Sequence, residues 1–368
     1  MQFVDLKRQY DEYRGEIMAE IQSVLDTTAF IGGAAVKELE AELAVHTGVR
    51  HAIGCSSGTD ALLLGLLALG VKPGDEVIVP DFTFIATAET VALAGAVPVF
   101  ADIRPDTYNI DPDSIAALVT GRTVGIIPVS LYGQAAEMDE INALAENRGL
   151  WVMEDGAQSY GASHRGRKSC ALSRLGTTSF FPAKPLGAYG DAGALFTDDD
   201  ELAATLRMLL NHGQRKRYDH AIVGLNARLD TIQAAVLKVK LRHFDDELAA
   251  RQQVADWYTR ELADAVPTPV ILDHNTSAWA QYTIRVPSRA AVQGALKERG
   301  IPTAVHYPIP LHQQDAFAGH VQSAIEVPHT EKASAEVMSL PMHPFLTRDE
   351  VRVVAEAVKA AIQAGVDA

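Results

Sequence analysis

Only two cysteines occur in the chain, Cys55 and Cys170. That scarcity excludes a disulfide-stapled secreted scaffold and a cluster held by cysteine thiolates. Zinc-ligating spacings are missing too, with no His-Glu-x-x-His and no closely spaced cysteine pair, so no metal is expected. The Gly-x-Gly-x-x-Gly turn of dinucleotide-binding folds does not occur either. Residues 161–169 approach a phosphate-binding P-loop, but Lys168 stands one place late and no apolar helix opens after Ser169, which discounts nucleotide hydrolysis. Positive charge is in deficit: 32 Lys and Arg face 47 Asp and Glu, a net charge of -15. Such a balance argues against a nucleic-acid surface or an anionic-membrane anchor, since phosphate neutralisation needs a basic face. The longest apolar run, Ala61 to Val71, falls short of the roughly 20 residues that span a bilayer. Met1 to Arg8 lack the apolar core of a signal peptide, so a cytoplasmic, reduced protein is expected.

What is present is a chain of 368 residues, 48% apolar and 21% charged, enough for a large core. Two helices are expected before residue 50, broken at Ile31 to Gly33. A strand over 52–55 then opens into Ser56, Ser57, Gly58, Thr59 and Asp60, ahead of an apolar helix over 61–69. Strands over 76–80, 97–101, 125–129 and 151–154 alternate with helices over 86–94, 112–119 and 138–147. Two more apolar runs lie within 177–197, giving seven strand candidates. Alternation with short joints predicts an α/β fold, a mostly parallel sheet covered on both faces, with ligands at the carboxyl ends of its strands. His212 to Arg217 reads as a basic loop, and 242–263 as one long helix. Beyond it, strands over 281–286 and 301–307 with helices over 290–299 and 349–364 predict a small α+β domain. The expected division is a large domain over 1–245 and a small one over 246–368.

Lys184 stands at the centre of a stiffened segment, with Pro182 and Pro185 restricting the backbone and Gly187, Gly190 and Gly193 permitting close approach. An amine held so, once desolvated, can form a Schiff base with a substrate carbonyl or with pyridoxal phosphate. Ser56 to Thr59 present a helix N-terminus suited to phosphate, or a plain cap through Thr59 or Asp60. Asp155, where a buried strand opens, needs a positive or donor partner: a pyridinium N–H, a helix N-terminus or an ion pair. Phe84 is either a stacking face or core. Phosphate cradle, ring face, pyridinium partner and lysine are together the parts that pyridoxal phosphate requires.

Glu154 to Ser159, Ser179 to Gly187 and Tyr189 to Asp191 resemble the DegT/DnrJ/EryC1/StrS family of sugar aminotransferases, and the likeness runs from Phe3 to Pro344. The resemblance implies the type I pyridoxal-phosphate fold with a seven-stranded sheet. It implies that Lys184 bonds the cofactor, Asp155 pairs with the pyridinium, Gln158 lies near the ring oxygen and Phe84 stacks on a face. Gly58, Thr59 and Ser179 would hold the phosphate, with Asn226 reaching it from the second subunit of a homodimer. Gly156, Ala183 and Ala188 depart from residues common in relatives, which alters packing more than chemistry. Glutamate would donate the amine and a keto nucleotide-sugar accept it. Residues 303–311 and 130–134 most resemble the branch acting on UDP-2-acetamido-2-deoxy-3-oxo-glucuronate for surface polysaccharide, with Arg228, His306 and Tyr307 reading the sugar. The alternatives are amination at C4 of a 4-keto-6-deoxyhexose and, from another class, a non-catalytic regulator that keeps the fold. A dehydrating side branch uses histidine in place of the lysine or an iron-sulfur cluster, which Lys184 and two cysteines disfavour.

Overall fold

The computed structural model describes residues 1–319 and 326–366. Helices α1 (Leu6–Thr27) and α2 (Ala34–Thr47) precede β1 (His51–Cys55), α3 (Gly58–Ala68), β2 (Glu76–Pro80), α4 (Ala86–Leu93) and β3 (Val97–Ala101). Then follow α5 (Pro112–Leu118), β4 (Thr123–Ile126), α6 (Met138–Arg148), β5 (Trp151–Asp155), the short hairpin β6 (Ser163–His164) and β7 (Arg167–Lys168), β8 (Leu175–Ser179) and β9 (Gly193–Thr197). These give one seven-stranded sheet in the order β1-β9-β8-β5-β4-β2-β3. Only β9 runs against its neighbours. The consequence for function is geometric: β2, β4, β5 and β8 all deliver their carboxyl ends to one edge of the sheet.

Alternate residues leave the sheet on opposite faces, as the pleat requires. Val77 and Val79 pack with α3 and α4, together with Leu202 and Leu206 of α7 (Asp200–Leu209). Ile78, between them, packs with Ile115 of α5 and Ile141 of α6. Both faces are therefore dry, which is why the strands read as near-continuous apolar runs.

Past α7 the chain forms the hairpin β10 (Gln214–Lys216) and β11 (Asp219–His220), then α8 (Thr231–Arg242) and α9 (Phe244–Leu262). The expected basic loop over 212–217 is thus partly a hairpin strand. The expected long helix over 242–263 is α9, which starts two residues later because His243 closes α8 and opens α9. A second apolar core gathers α9, β12 (Tyr282–Arg285), α10 (Arg289–Glu298), β13 (Val337–Leu340) after α11 (Pro328–Glu336), and α12 (Arg348–Val366). Here β12 pairs with β13 along four residues. The expected strand over 301–307 contributes only a bridge from Ala304 to Ser339, because β13 takes the place beside β12. Among the described residues no helix is long and apolar enough to cross a membrane.

Gly176 sits where β8 passes the Cys170 backbone, and a Cβ built there would lie 2.2 Å from the Cys170 carbonyl oxygen. Backbone cannot yield as a side chain tip can. Gly176→Ala is expected to lower stability by about 1–3 kcal/mol, the usual cost of overpacking, read as a lower denaturant midpoint with an unchanged m-value.

Candidate active site

Four loops at the carboxyl edge of the sheet bring the expected residues together. The turn after β1 leads into α3, where Ser57 caps by accepting from the Asp60 backbone N–H at 3.0 Å. The cap is therefore Ser57, in place of the expected Thr59 or Asp60. Asp60 in turn accepts from the Ser56 and Ser57 hydroxyls. With the cap satisfied by Asp60, the first-turn N–H groups of Gly58 and Thr59 have no intrahelical acceptor and face outward with the positive end of the helix. Ser179, at the end of β8, closes against this turn so tightly that a Cβ on Gly58 would lie 2.6 Å from the Ser179 Cβ. Gly193 is equally necessary, since its Cβ would meet the Ser57 carbonyl at 2.4 Å. The Ser179 Oγ accepts from the Phe181 backbone N–H at 3.2 Å, which leaves its own proton free to donate.

Asp155 ends β5 in a buried position and keeps two acceptor contacts, with the Thr87 hydroxyl at 2.8 Å and the Ala157 N–H at 3.1 Å. Burial pushes its carboxyl above the ordinary range; those two donors and the Lys184 charge oppose the shift. Burial likewise pushes the Lys184 ammonium down, opposed by Asp155. Each group thus feels the charge of the other. The local backbone is held by the Lys184 N–H donating to the Phe181 carbonyl at 2.9 Å.

Gln158 is buried on the loop after β5, accepting from the Tyr132 N–H at 2.8 Å and donating to the Tyr307 hydroxyl at 3.1 Å. Tyr307 stands 6.0 Å from the Phe84 ring and 6.4 Å from Phe82. Phe84 itself is 53% exposed, so it is a presented face and the core alternative falls to Phe82, which is buried. Burial and the charge of Lys184 push the His306 imidazole down to about 4, leaving it neutral near pH 7. Its Nδ1 meets the Ser339 Oγ at 2.9 Å, and its carbonyl accepts from the Tyr132 hydroxyl. The Tyr307 phenol is raised by burial and by Asp155, and so stays protonated.

Asn226 and Arg228 lie on a separate segment along the edge of β1, where the Ser56 N–H donates to the Ala227 carbonyl at 3.0 Å and Cys55 bridges Arg228. Asn226 is exposed. Arg228 donates from Nη1 to Asn211 Oδ1 at 2.8 Å, while its Nε is buried without a partner. Within one chain this pair flanks the Ser56 turn; the contacts of His306 and Tyr307 are with other residues. Sequence reasoning passed over Thr87, Tyr132 and Ser339, which support Asp155, Gln158 and His306. Only Thr87, one helical turn past Thr83, carried a hint, as a hydroxyl at the start of α4.

A half-buried amine, a buried carboxylate, an exposed ring face and a glycine-tight helix turn are groups that fit pyridoxal phosphate. The model of the DegT/DnrJ/EryC1/StrS aminotransferase family matches residues 11–359, and the chain belongs to that pyridoxal-phosphate-dependent family. It is 52% identical to the UDP-2-acetamido-2-deoxy-3-oxo-D-glucuronate aminotransferase of Pseudomonas aeruginosa, over 97% of this chain and 99% of the relative. It is 46% identical to a pleiotropic regulatory protein of Geobacillus stearothermophilus, over 96% of each. A DegT DnrJ EryC1 StrS aminotransferase from Brucella abortus superposes with a TM-score of 0.96 at 42% identity, covering 98% of this chain and 99% of that one.

Because folding raises the Asp155 carboxyl pKa, the native state holds more protons than the unfolded chain between about 3.9 and the folded value, so stability falls as pH rises through that window. Asp155→Asn keeps a partner for both contacts and removes the ionisable group. In cofactor-free protein the variant is expected to be the more stable at pH 7, with the advantage disappearing near pH 3. Denaturant midpoints across pH check this; a wild-type advantage at pH 7 would mean that attraction to Lys184 outweighs desolvation.

Proposed function

We propose that the protein moves the amino group of glutamate onto a keto nucleotide-sugar, UDP-2-acetamido-2-deoxy-3-oxo-glucuronate, in surface-polysaccharide biosynthesis. The observation that carries this reading is the half-buried Lys184, whose ammonium burial pushes down against the opposing charge of the buried Asp155 carboxylate. The Pseudomonas relative named for that sugar supports the choice of substrate. Asp155 would hold the pyridinium N–H, Phe84 a ring face and Gln158 the edge by the ring oxygen. Gly58, Thr59 and Ser179 would hold the phosphate. When bound, pyridoxal 5'-phosphate supplies an electron sink for the carbanion left at a deprotonated substrate carbon.

Lys184 is the base that takes and returns that proton, and its depressed pKa makes the neutral amine accessible. His306 stays neutral and Tyr307 stays protonated beside it, so neither competes for the proton and both can donate or accept at a sugar hydroxyl. We place the enzyme in the cytoplasm as a homodimer, in which Asn226 reaches the phosphate site of a second copy and Arg228, two residues on, travels with it. The Arg228 guanidinium, which can bind a carboxylate through two parallel N–H donors, suits the uronate. The same reading divides the chain into a cofactor-binding lobe over 1–245 and a smaller lobe over 246–368.

Lys184→Ala is expected to abolish 2-oxoglutarate release from glutamate. Borohydride reduction followed by peptide mass mapping should find the cofactor fixed to Lys184 in wild type and nowhere in the variant; persistence of either signal would remove Lys184 from its role. A wild type that releases no 2-oxoglutarate with any keto nucleotide-sugar would favour the regulatory reading that the Geobacillus relative suggests. Arg228→Lys is expected to lower kcat/KM for the uronate by roughly 10- to 100-fold, the worth of a charge-assisted pair, with little change for a 4-keto-6-deoxyhexose. An unchanged preference would point to amination of the 6-deoxy sugar.

A further inference from the structure

Away from the cofactor site, three segments distant in sequence converge where the large sheet meets the chain running from α9 to β12. Glu137 caps α6 without bonding its side chain to that helix. His164 ends the strand β6, and His274 lies on the connection ahead of β12. Their ligand atoms all fall within 4.8 Å of one another. Glu137 Oε1 is 3.1 Å from His274 Nε2, and Asp139 Oδ2 is 3.5 Å from His164 Nε2. Four nitrogen and oxygen ligands around a tetrahedral ion at about 2.0–2.2 Å would stand about 3.3–3.6 Å apart. Those two pairs therefore already stand at nearly the spacing that an ion imposes, with Asp139 outside the three-residue group.

His164 supplies an independent sign. It is 1% exposed, and its Nε2 is buried without a hydrogen-bond partner. Its other nitrogen, Nδ1, stands 2.8 Å from the side-chain oxygen of Asn275, an acceptor that requires the proton on Nδ1 and leaves a lone pair on Nε2. A histidine oriented by donating its far N–H to an oxygen is the arrangement that metal-bound histidines adopt. The surroundings also suit a cation. Glu137 is buried, and among the described residues its ion-pair partner is His274 alone. Arg165 approaches only the outer carboxylate, with its Nε 2.9 Å from Asp139 Oδ2. His274 keeps partial exposure, which offers an entry path.

We propose that Glu137, His164 and His274, with Asp139 in the fourth position, bind one divalent transition cation of the zinc class. Two imidazoles and two carboxylates favour that class over calcium or magnesium, which prefer all-oxygen shells. The ion closes a coordination shell with no place for substrate, and its role is structural: it clips the 270–278 connection to the sheet. That connection already rests there through Gln134, whose side chain accepts from the Leu272 N–H at 2.8 Å and donates to the Val270 carbonyl at 2.9 Å, and through Arg165, whose N–H donates to the His274 carbonyl at 2.7 Å.

The test uses tag-free, cofactor-loaded enzyme stripped with a chelator and dialysed against zinc or cobalt(II). Wild type is expected to take up one ion per chain, show the visible absorption of four-coordinate cobalt(II), and melt at a higher temperature with zinc than with chelator. Glu137→Gln and His274→Ala, tested separately, are each expected to weaken the ion by at least tenfold and to abolish the zinc-dependent rise in melting temperature, while both still release 2-oxoglutarate. Asn275→Ala, which loosens His164 without removing a ligand, is expected to weaken binding by roughly 10- to 100-fold. Far-UV circular dichroism identifies any variant that fails to fold, and the remaining ligand variant then decides. Substoichiometric uptake by wild type, or equal uptake by wild type and folded ligand variants, would overturn the proposal and leave a histidine–carboxylate pair only.

Discussion

A carboxylate out of water constrains everything around it. Asp155 ends β5 inside the protein, where an unpaired charge is expensive, and folding offsets that cost through the Thr87 hydroxyl, the Ala157 N–H and the charge of Lys184. Each offset fixes a piece of backbone. Thr87 ties the start of α4 to β5, Ala157 sets the turn that carries Gln158, and Lys184 must stand on a loop that enters the same space. The remaining tension, visible as a raised carboxyl and a depressed ammonium, is also what the chemistry requires: an acid group ready for a cationic partner and an amine ready to lose its proton.

The second constraint is steric. Phosphate-sized anions are recognised by backbone N–H groups only if nothing else occupies the turn, and here Gly58 and Gly193 let the Ser56 turn close on Ser179 and on β9. Because β9 is antiparallel to both β1 and β8, its first residue passes the turn at the same edge where β8 ends. One reversed strand thus brings Gly193, Ser179 and the α3 N-terminus to a single point.

The chain after β12 returns to cover that edge. The Asp81 carboxylate, buried at the end of β2, accepts from the His312 backbone N–H at 2.8 Å and pairs with His312 Nδ1 at 2.6 Å, while its carbonyl accepts from Leu311. Together with the Tyr132 hydroxyl on the His306 carbonyl and Gln158 on Tyr307, these contacts hold residues 306–312 across the mouth of the site. Polar pairs of this kind specify position more than they add stability.

Strand and helix alternation, the seven strands, the exceptional context of Lys184 and the exposed end of β5 at Asp155 were legible in the sequence, because periodicity and Gly and Pro punctuation act over a few residues. The motif likeness carried the family, for the same reason that its residues are contiguous. What local pattern could not reach depended on which segments meet. An apolar run over 301–307 has strand composition, yet it lies beyond a pairing already made by β12 and β13. Thr87 faces Asp155, Asn211 holds Arg228, and Glu137, His164 and His274 converge, only because sheet order and loop return bring them there. Sequence determined the elements and the constrained setting of Lys184; tertiary structure decided their partners, since side-chain desolvation and hydrogen-bond satisfaction are properties of the assembled interior.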